Sequence, residues 1–563
     1  MILKTAHISK FKCVNNSTPF TLDRDVTCLV GKNEAGKTAI LEALHRLKPV
    51  QDKDGAFDIV REYFKPEMLE YESRHKDEPG LAVTTTWELE PTDRQALEEL
   101  IGPVATTVGL VTVSKTWDNK HRVDLGITEA QIVTSLLEAS DVGKKDRGKY
   151  KAAHSIPELM TQLAARPEEQ AQRTAFIQGL QKRFGGKTGL QVAEGWLWDR
   201  VPRFALFSQY LRMPGQLSVE DFKTRSTSNQ LTDEDRVFSS LLGMLNMSVE
   251  AFLALSTYEQ LTARLEAARD TLTHELRQHW PDGKNLSMEF KFDDGLPGDP
   301  APYNKGKVFR ARILNTRYGA STRFDQRSSG FIWFFSFLVW FTQLRRNYKS
   351  DLVLLLDEPG TSLHGTAQRE LLRFIEQRLA KDFQVVYSTH SPFMIDGSNL
   401  HRARPVEDVY REPHGDEDPN TKPARGTKVF ENWWHADRPT LFPLMGCVAF
   451  DLTQTMFISP HNVLVEGVAD LMYIEWFRTK LANLKRPTLD KRWTITPCGS
   501  ITKIGAFLNL FAGNHLHCAV ICDYGDGGKR EVRSLNETAV LSAAEVLTAD
   551  QFADKPQADL EDV

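Results

Sequence analysis

The stretch "LVGKNEAGKTAILEAL", residues 29 to 44, sets Gly31, Asn33, Gly36, Lys37 and Thr38 in a GxxxxGK[ST] loop between an apolar strand and a helix. This spacing suits triphosphate chemistry. The glycines let backbone N–H groups turn inward around phosphate oxygens, and the helix N-terminus adds its dipole. Lys37 is the expected partner of the β and γ phosphates, and the Thr38 hydroxyl an expected magnesium ligand. "DLVLLLDEPG" ends an apolar run in Asp357 and Glu358. Asp357 is expected to hold the magnesium-bound water and Glu358 to polarise the attacking water; the plainer reading of the pair is a helix cap. "VVYSTHSP" places His390 just past another core strand, in reach of a γ-phosphate, where a structural histidine is the alternative.

A second set of acids lies near the C-terminus. "NVLVEGVADLMYIEWF" puts Glu466 at the end of an apolar strand, with Asp470 four residues later and one turn into a helix. That spacing lets both carboxylates face one point. "CAVICDYGDGG" puts Asp523 at the end of a further apolar strand and Asp526 in a Gly-rich turn, and "ADLEDV" adds Asp559, Glu561 and Asp562. Carboxylates gathered at one edge of a parallel sheet suit hard cations such as magnesium or manganese. Two such ions would activate water and stabilise the leaving oxygen in phosphodiester cleavage. Taken singly, each of these acids is a cap or a solvated turn.

The elements that must position these residues are legible in outline. The 563 residues suffice for several domains. With 41% apolar and 26% charged residues, the composition is that of a folded globular chain. A net charge of −5 excludes a protein that coats DNA by electrostatics alone; local patches must serve. "GKKDRGKYK", residues 143 to 151, reads as a solvated loop or as one such patch. Six scattered cysteines form no CxxC pair, which argues against zinc and disulfides and fits a reducing cytoplasm. The N-terminus lacks a signal-peptide core. "FIWFFSFLVWF" is far shorter than the roughly 20 residues of a bilayer span and reads as a buried helix, so no membrane partner is expected. Residues 92 to 200 read as mostly helical, and "LAVTTTWELE", "LSMEFKF" and "KVFRARIL" read as strands. Leu261, Leu265, Ala268, Leu272 and Leu276 mark one helix face, packed on its own domain or paired with a second copy. Residues 403 to 427, rich in Pro, Gly and charge, read as an exposed linker or loop, followed by a smaller α/β unit of strand, helix, strand and strand.

"RSSGFIWFFSFL" begins an apolar helix with Ser328, Ser329 and Gly330, and it resembles a degenerate signature motif of ABC-type ATPases. In that family the signature of one protomer covers ATP held by another, which implies a dimer of heads. The order P-loop, long insertion, signature, acid pair and histidine resembles the ABC heads of the SMC and Rad50 type, although no Q-loop glutamine is assigned. Strand-Glu466-Gly-x-x-Asp470-helix, then a strand ending at Gly499, then strand-Asp523 resembles a Toprim domain. The usual Asp-x-Asp is altered here, since Gly525 stands where the second acid belongs and Asp526 follows it.

An ABC-type head followed by a Toprim domain resembles the OLD (overcoming lysogenization defect) family of ATPase-nucleases. The resemblance implies an α/β chain of four parts. Residues 1–95 would be the N-terminal head, 96–285 a mostly helical insertion and dimerisation arm, 286–425 the C-terminal head, and 426–563 the Toprim-like domain. It implies ATP with magnesium at Lys37, Thr38 and Asp357, and magnesium or manganese at Glu466, Asp470, Asp523, Asp526, Glu561 and Asp562. The activity implied is nucleotide-gated DNA cleavage or nicking in phage defence, by a homo-oligomer, with a second defence protein or nucleic acid as a possible partner. "ADLEDV" resembles the family's Glu-Asp element. Family members continue to a late basic residue, whereas this chain stops at Val563; truncation, a missing lysine, or substitution by Lys529 are the options. Two other readings stand beside this one. The first is an ATPase scaffold whose altered Toprim domain binds without cutting. The second is a Rad50-like repair ATPase, which calls for much longer paired helices.

Overall fold

Three of the runs that read as core strands lie side by side in the computed structural model. It describes all residues except 141–149, 151–152, 166–170, 209, 254–257, 281–282, 349–350, 412–423, 432–435, 455–460, 491, 514–516, 524–544 and 553–563. The chain divides into two units, Met1–Pro443 and Leu444–Val563.

The first unit is built on a six-stranded sheet in the order Ala424–Val429, Ala403–Arg411, Val26–Val30, Gln384–Thr389, Leu352–Leu356 and Arg203–Phe207. Its neighbours run parallel except for the first pair. Val26–Val30 and Leu352–Leu356 are buried along their whole lengths, as central parallel strands covered on both faces must be. Helix Lys37–Leu47 packs between this sheet and an antiparallel one formed by Val14–Asn16, Ile2–Phe11, Leu81–Glu88, Leu110–Thr116 and His121–Asp124. Its buried Ala39, Ile40, Leu44 and Leu47 belong to the core cluster that both sheets share.

A third, antiparallel sheet holds Leu286–Asp294, Lys307–Asn315, Ala320–Arg323 and Gln216–Ser218. Helix Tyr258–His279 packs on Leu286–Asp294, and Leu265, Ala268, Leu272 and Leu276 are buried. The apolar stripe of that helix is therefore covered by its own chain. "FIWFFSFLVWF" lies in the helix Ser329–Tyr348, where Phe331, Phe334, Phe335, Phe337 and Val339 are all buried. No helix among the described residues is long and apolar enough to cross a membrane. No disulfide joins any of the six cysteines.

Two expectations of local structure need amending. Residues 92–200 are mostly helical, but Leu110–Thr116 and His121–Asp124 interrupt the helices with a hairpin on the antiparallel sheet. Its alternating apolar positions Val111, Val113 and Val123 are buried, and Asn119, with φ 67°, makes the turn. Arg203–Phe207, which no sequence signal assigns, is an edge strand of the parallel sheet. Most consequential, the described residues 403–411 and 424–427 are no exposed linker or loop: Ala403–Arg411 and Ala424–Val429 extend the parallel sheet beside the P-loop strand. Pro405 is tolerated there because the outer pairing begins only at Val406–Val429, so no N–H is needed from residue 405.

The second unit carries a parallel four-stranded sheet in the order Trp493–Pro497, His461–Val465, His517–Cys522 and Glu545–Thr548. Helix Val468–Asn483 joins the first two strands in sequence, and a further helix, Ile501–Gly513, precedes the third. Leu464, Ile504, Leu508 and Val520 pack on one face with three cysteines, and Val463, Val465 and Ile495 pack on the other. Burial pushes the thiols of Cys498 and Cys522 up to about 12, which marks them as core groups rather than nucleophiles.

Candidate functional site

The P-loop turns between the buried strand Val26–Val30 and the helix beginning at Lys37. Its glycines answer two demands at once. Gly36 has φ +94°, and a Cβ there would lie 2.1 Å from Thr427 Oγ1; a Cβ on Gly31 would lie 2.2 Å from the Val406 carbonyl oxygen. The hairpin that resembled a linker thus backs the loop, and it leaves room only for backbone. A cavity of about 590 Å³ opens over the loop, with Asn33, Lys37, Thr38, Tyr210, Glu358 and His390 among its lining residues.

Within this cavity the side chains are already connected. Thr38 Oγ1 donates to the Asp357 carboxylate at 2.9 and 3.0 Å. Lys37 Nζ donates to the Gly31 and Lys32 carbonyls at 2.9 and 2.7 Å and pairs with Glu358 Oε1 at 3.0 Å. Glu358 Oε2 meets His390 Nδ1 at 2.8 Å. Burial, offset by the Ser388 and Thr38 hydroxyls, leaves the Asp357 carboxyl above its ordinary range. A neighbouring cation would reverse that. The adjacent hydroxyl and carboxylate oxygens of Thr38 and Asp357 fit magnesium in donor type.

Topology accounts for the convergence. Leu352–Leu356 lies beside Gln384–Thr389, which lies beside Val26–Val30, all parallel, so the P-loop, the acid pair and His390 leave one edge of the sheet together. Two lining or linking residues went unread in the sequence. Tyr210 follows the unrecognised edge strand. Ser388 stands two residues before His390, a period-2 spacing that puts the two on one strand face and was available as a signal. Ser329 and Gly330 stand apart from this network, at the N-terminus of their helix; a Cβ on Gly330 would lie 2.8 Å from the Ser362 carbonyl oxygen.

In the second unit, Glu466 and Asp523 follow the neighbouring strands His461–Val465 and His517–Cys522. The Asp523 N–H donates to Glu466 Oε1 at 3.1 Å, the Gly467 N–H to Asp470 Oδ2 at 2.8 Å, and the Gly499 N–H to the Glu466 carbonyl at 2.7 Å. Burial first, then the negative charges of Asp523 and Asp470, raise the Glu466 carboxyl above its ordinary range. The three acids therefore share one edge and sense one another. Among the described residues, however, no three His, Cys, Asp or Glu side chains form a group able to hold a metal. Asp526, Glu561 and Asp562 lie outside the described residues, as do Lys529 and Asp559. Helix Val468–Asn483 leaves Met472, Tyr473, Trp476 and Phe477 exposed beside this edge.

Residues 1–121 match the family model described as "AAA ATPase domain", and residues 227–396 match the one described as "AAA domain, putative AbiEii toxin, Type IV TA system". The first span contains the P-loop and the second contains Asp357, Glu358 and His390. An uncharacterized protein of Methanocaldococcus jannaschii is 28% identical over 130 residues, covering 23% of this chain and 30% of that relative. The chain thus matches less than a third of that relative's length. Among solved structures, an SMC head bound to the C-terminal winged-helix domain of ScpA is 13% identical, with a TM-score of 0.34 over 76% of this chain and 97% of that one. The SMC head from Thermotoga maritima is 13% identical, with a TM-score of 0.27 over 73% and 96%. The Smc head with an extended coiled coil, bound to ScpA derived from Pyrococcus furiosus, is 14% identical, with a TM-score of 0.29 over 76% and 95%. Two stretches of the first unit thus match AAA ATPase domain models, on an α/β fold with the P-loop strand inside its parallel sheet.

Proposed function

We propose that this chain is an ATP-gated, metal-dependent DNA endonuclease or nickase of the OLD type. In this reading an ABC-type head binds and hydrolyses ATP, and the Toprim-like second unit cuts DNA in cytoplasmic phage defence. At the head, Lys37 holds the β and γ phosphates while Asn33 and the Gly31 and Gly36 amides line their path. Magnesium, held by Thr38 and Asp357, would supply charge neutralisation. Glu358 orients water and takes its proton, and His390 steadies the Glu358 carboxylate and reaches the γ-phosphate. Ser329 and Gly330 serve a second copy of the head, so that two chains enclose the nucleotide.

For the cutting half, the observation that carries the reading is the Glu466–Asp523 contact. The strand order reverses around His461–Val465, and ligands of open parallel sheets bind at such switch points, beyond the carboxyl ends of the strands. Glu466, Asp470 and Asp523, together with Asp526, Glu561 and Asp562, would take magnesium or manganese there. The test is nicking of supercoiled plasmid with either ion. The wild-type chain should relax the plasmid and Glu466→Ala should not; equal nicking by both, or by neither, ends the nuclease reading.

One observation favours a second reading. Among the described residues the acids do not close into a metal-holding group, which suits an ATPase scaffold whose second unit binds DNA or a partner without cutting. Plasmid binding without nicking would select it.

A further inference from the structure

We propose that Ser388 is a positioning residue for ATP hydrolysis, one hydroxyl that sets both acids of the Asp357–Glu358 pair. The inference rests on the ATPase reading of this site. Ser388 is fully buried in the strand Gln384–Thr389, between the P-loop strand and the strand that ends at Asp357. Its Oγ donates to Asp357 Oδ1 at 2.8 Å and accepts from the Glu358 N–H at 2.8 Å. A hydroxyl has one proton to give and lone pairs to accept with, so this single group reads the two acids in opposite senses. It takes the side chain of one and the main chain of the other.

The main-chain contact matters because Glu358 is strained. It adopts φ 48°, in the left-handed region that a residue with a Cβ enters only when its surroundings compel it. One group of the strand Gln384–Thr389 and one just past its end supply that compulsion. Ser388 holds the Glu358 amide, and His390, two residues on and on the same face, holds its carboxylate. Lys37 fixes the other carboxylate oxygen. Removing the hydroxyl leaves the Glu358 backbone free to relax while Lys37 and the P-loop glycines keep their places. Nucleotide binding should then survive and the chemical step should suffer.

The experiment compares the full-length wild type with Ser388→Ala, Ser388→Thr, Ser391→Ala and Lys37→Ala. It measures ATP turnover, KM for Mg·ATP, binding of a fluorescent ATP analogue, and thermal midpoint. Ser391 lies in the same loop, but its hydroxyl binds Gln368, not the acids. For Ser388→Ala, kcat should fall at least tenfold while KM and analogue affinity stay within threefold. Ser388→Thr, which keeps the hydroxyl, should recover most of kcat, and Ser391→Ala should match wild type. Wild-type turnover in Ser388→Ala overturns the proposal. So does a joint loss of kcat, analogue binding and thermal midpoint, or a folded Ser388→Thr no faster than the alanine variant. If Lys37→Ala also hydrolyses ATP normally, it is the ATPase reading that fails rather than the Ser388 inference alone.

Discussion

The chain carries two acidic centres at the carboxyl edges of two parallel sheets, and they are finished to different degrees. In the head, each acid meets donors from other strands and loops: Thr38 and Ser388 for Asp357, Lys37 and His390 for Glu358. In the second unit, the described partners of Glu466 and Asp470 are backbone amides, and no basic side chain among the described residues pairs with either. Both Asp357 and Glu466 are held above their ordinary range by burial. At both, neighbouring acids add to the cost and hydrogen bonds offset it, but the donors are side-chain hydroxyls at Asp357 and backbone amides at Glu466. The head is therefore organised before its ligand arrives. The second centre is an arrangement of like charges that a cation would relieve.

The sharpest way to break this contrast is to neutralise one acid in each centre. Glu358→Gln should bind ATP yet lower turnover about 100- to 10,000-fold, the range expected for loss of a general base. Glu466→Gln should leave turnover within about twofold of wild type, because it removes no contact of the Asp357–Glu358 network. Phosphate release assays on both variants decide the matter; equal losses would mean that the centres are not separate. A smaller effect tests the backing of the P-loop. Gly36→Ala sets a Cβ against Thr427 at a left-handed position, and a strain of roughly 1–2 kcal/mol should weaken ATP about tenfold by titration.

The smallest effect concerns pH. The folded-state pKa of Glu466 is raised, so its protonated form favours the fold. That contribution is present below the unfolded-state value and is lost as pH rises through the folded-state value. Glu466→Gln, which mimics the protonated form, should therefore raise the thermal midpoint in metal-free buffer at pH 8 and change it little at pH 4. Magnesium should narrow the pH 8 difference by stabilising the wild type. A lower midpoint for Glu466→Gln at pH 8 would show that the carboxylate is already compensated.

Legibility followed range. The P-loop, the acid pair and the strand-end Glu466 and Asp523 were readable because each is a short motif on one strand and its following turn. The hairpin Ala403–Arg411 and Ala424–Val429 was not. Pro405, the charges and the glycines imitate an exposed segment, while burial of Ala403 and Val406 depends on a neighbour almost 400 residues earlier in the chain. The Leu110–Asp124 hairpin did carry an alternating pattern, which the helical signals on either side obscured. Ser388 shares a strand face with His390 by a spacing legible in the sequence, but a small polar residue there has no evident role until its neighbours are known.

By itself the sequence determined where phosphate-binding and acid-bearing turns occur, since local spacing sets which residues leave a strand together and on which face. Only the tertiary structure decided which turns meet. Strand order placed Glu358 between Lys37 and His390, set Thr427 against Gly36, and brought the Asp523 amide to Glu466. These are contacts between strands far apart in the chain, chosen by how the sheets bury their apolar faces, and no spacing along the chain encodes them directly.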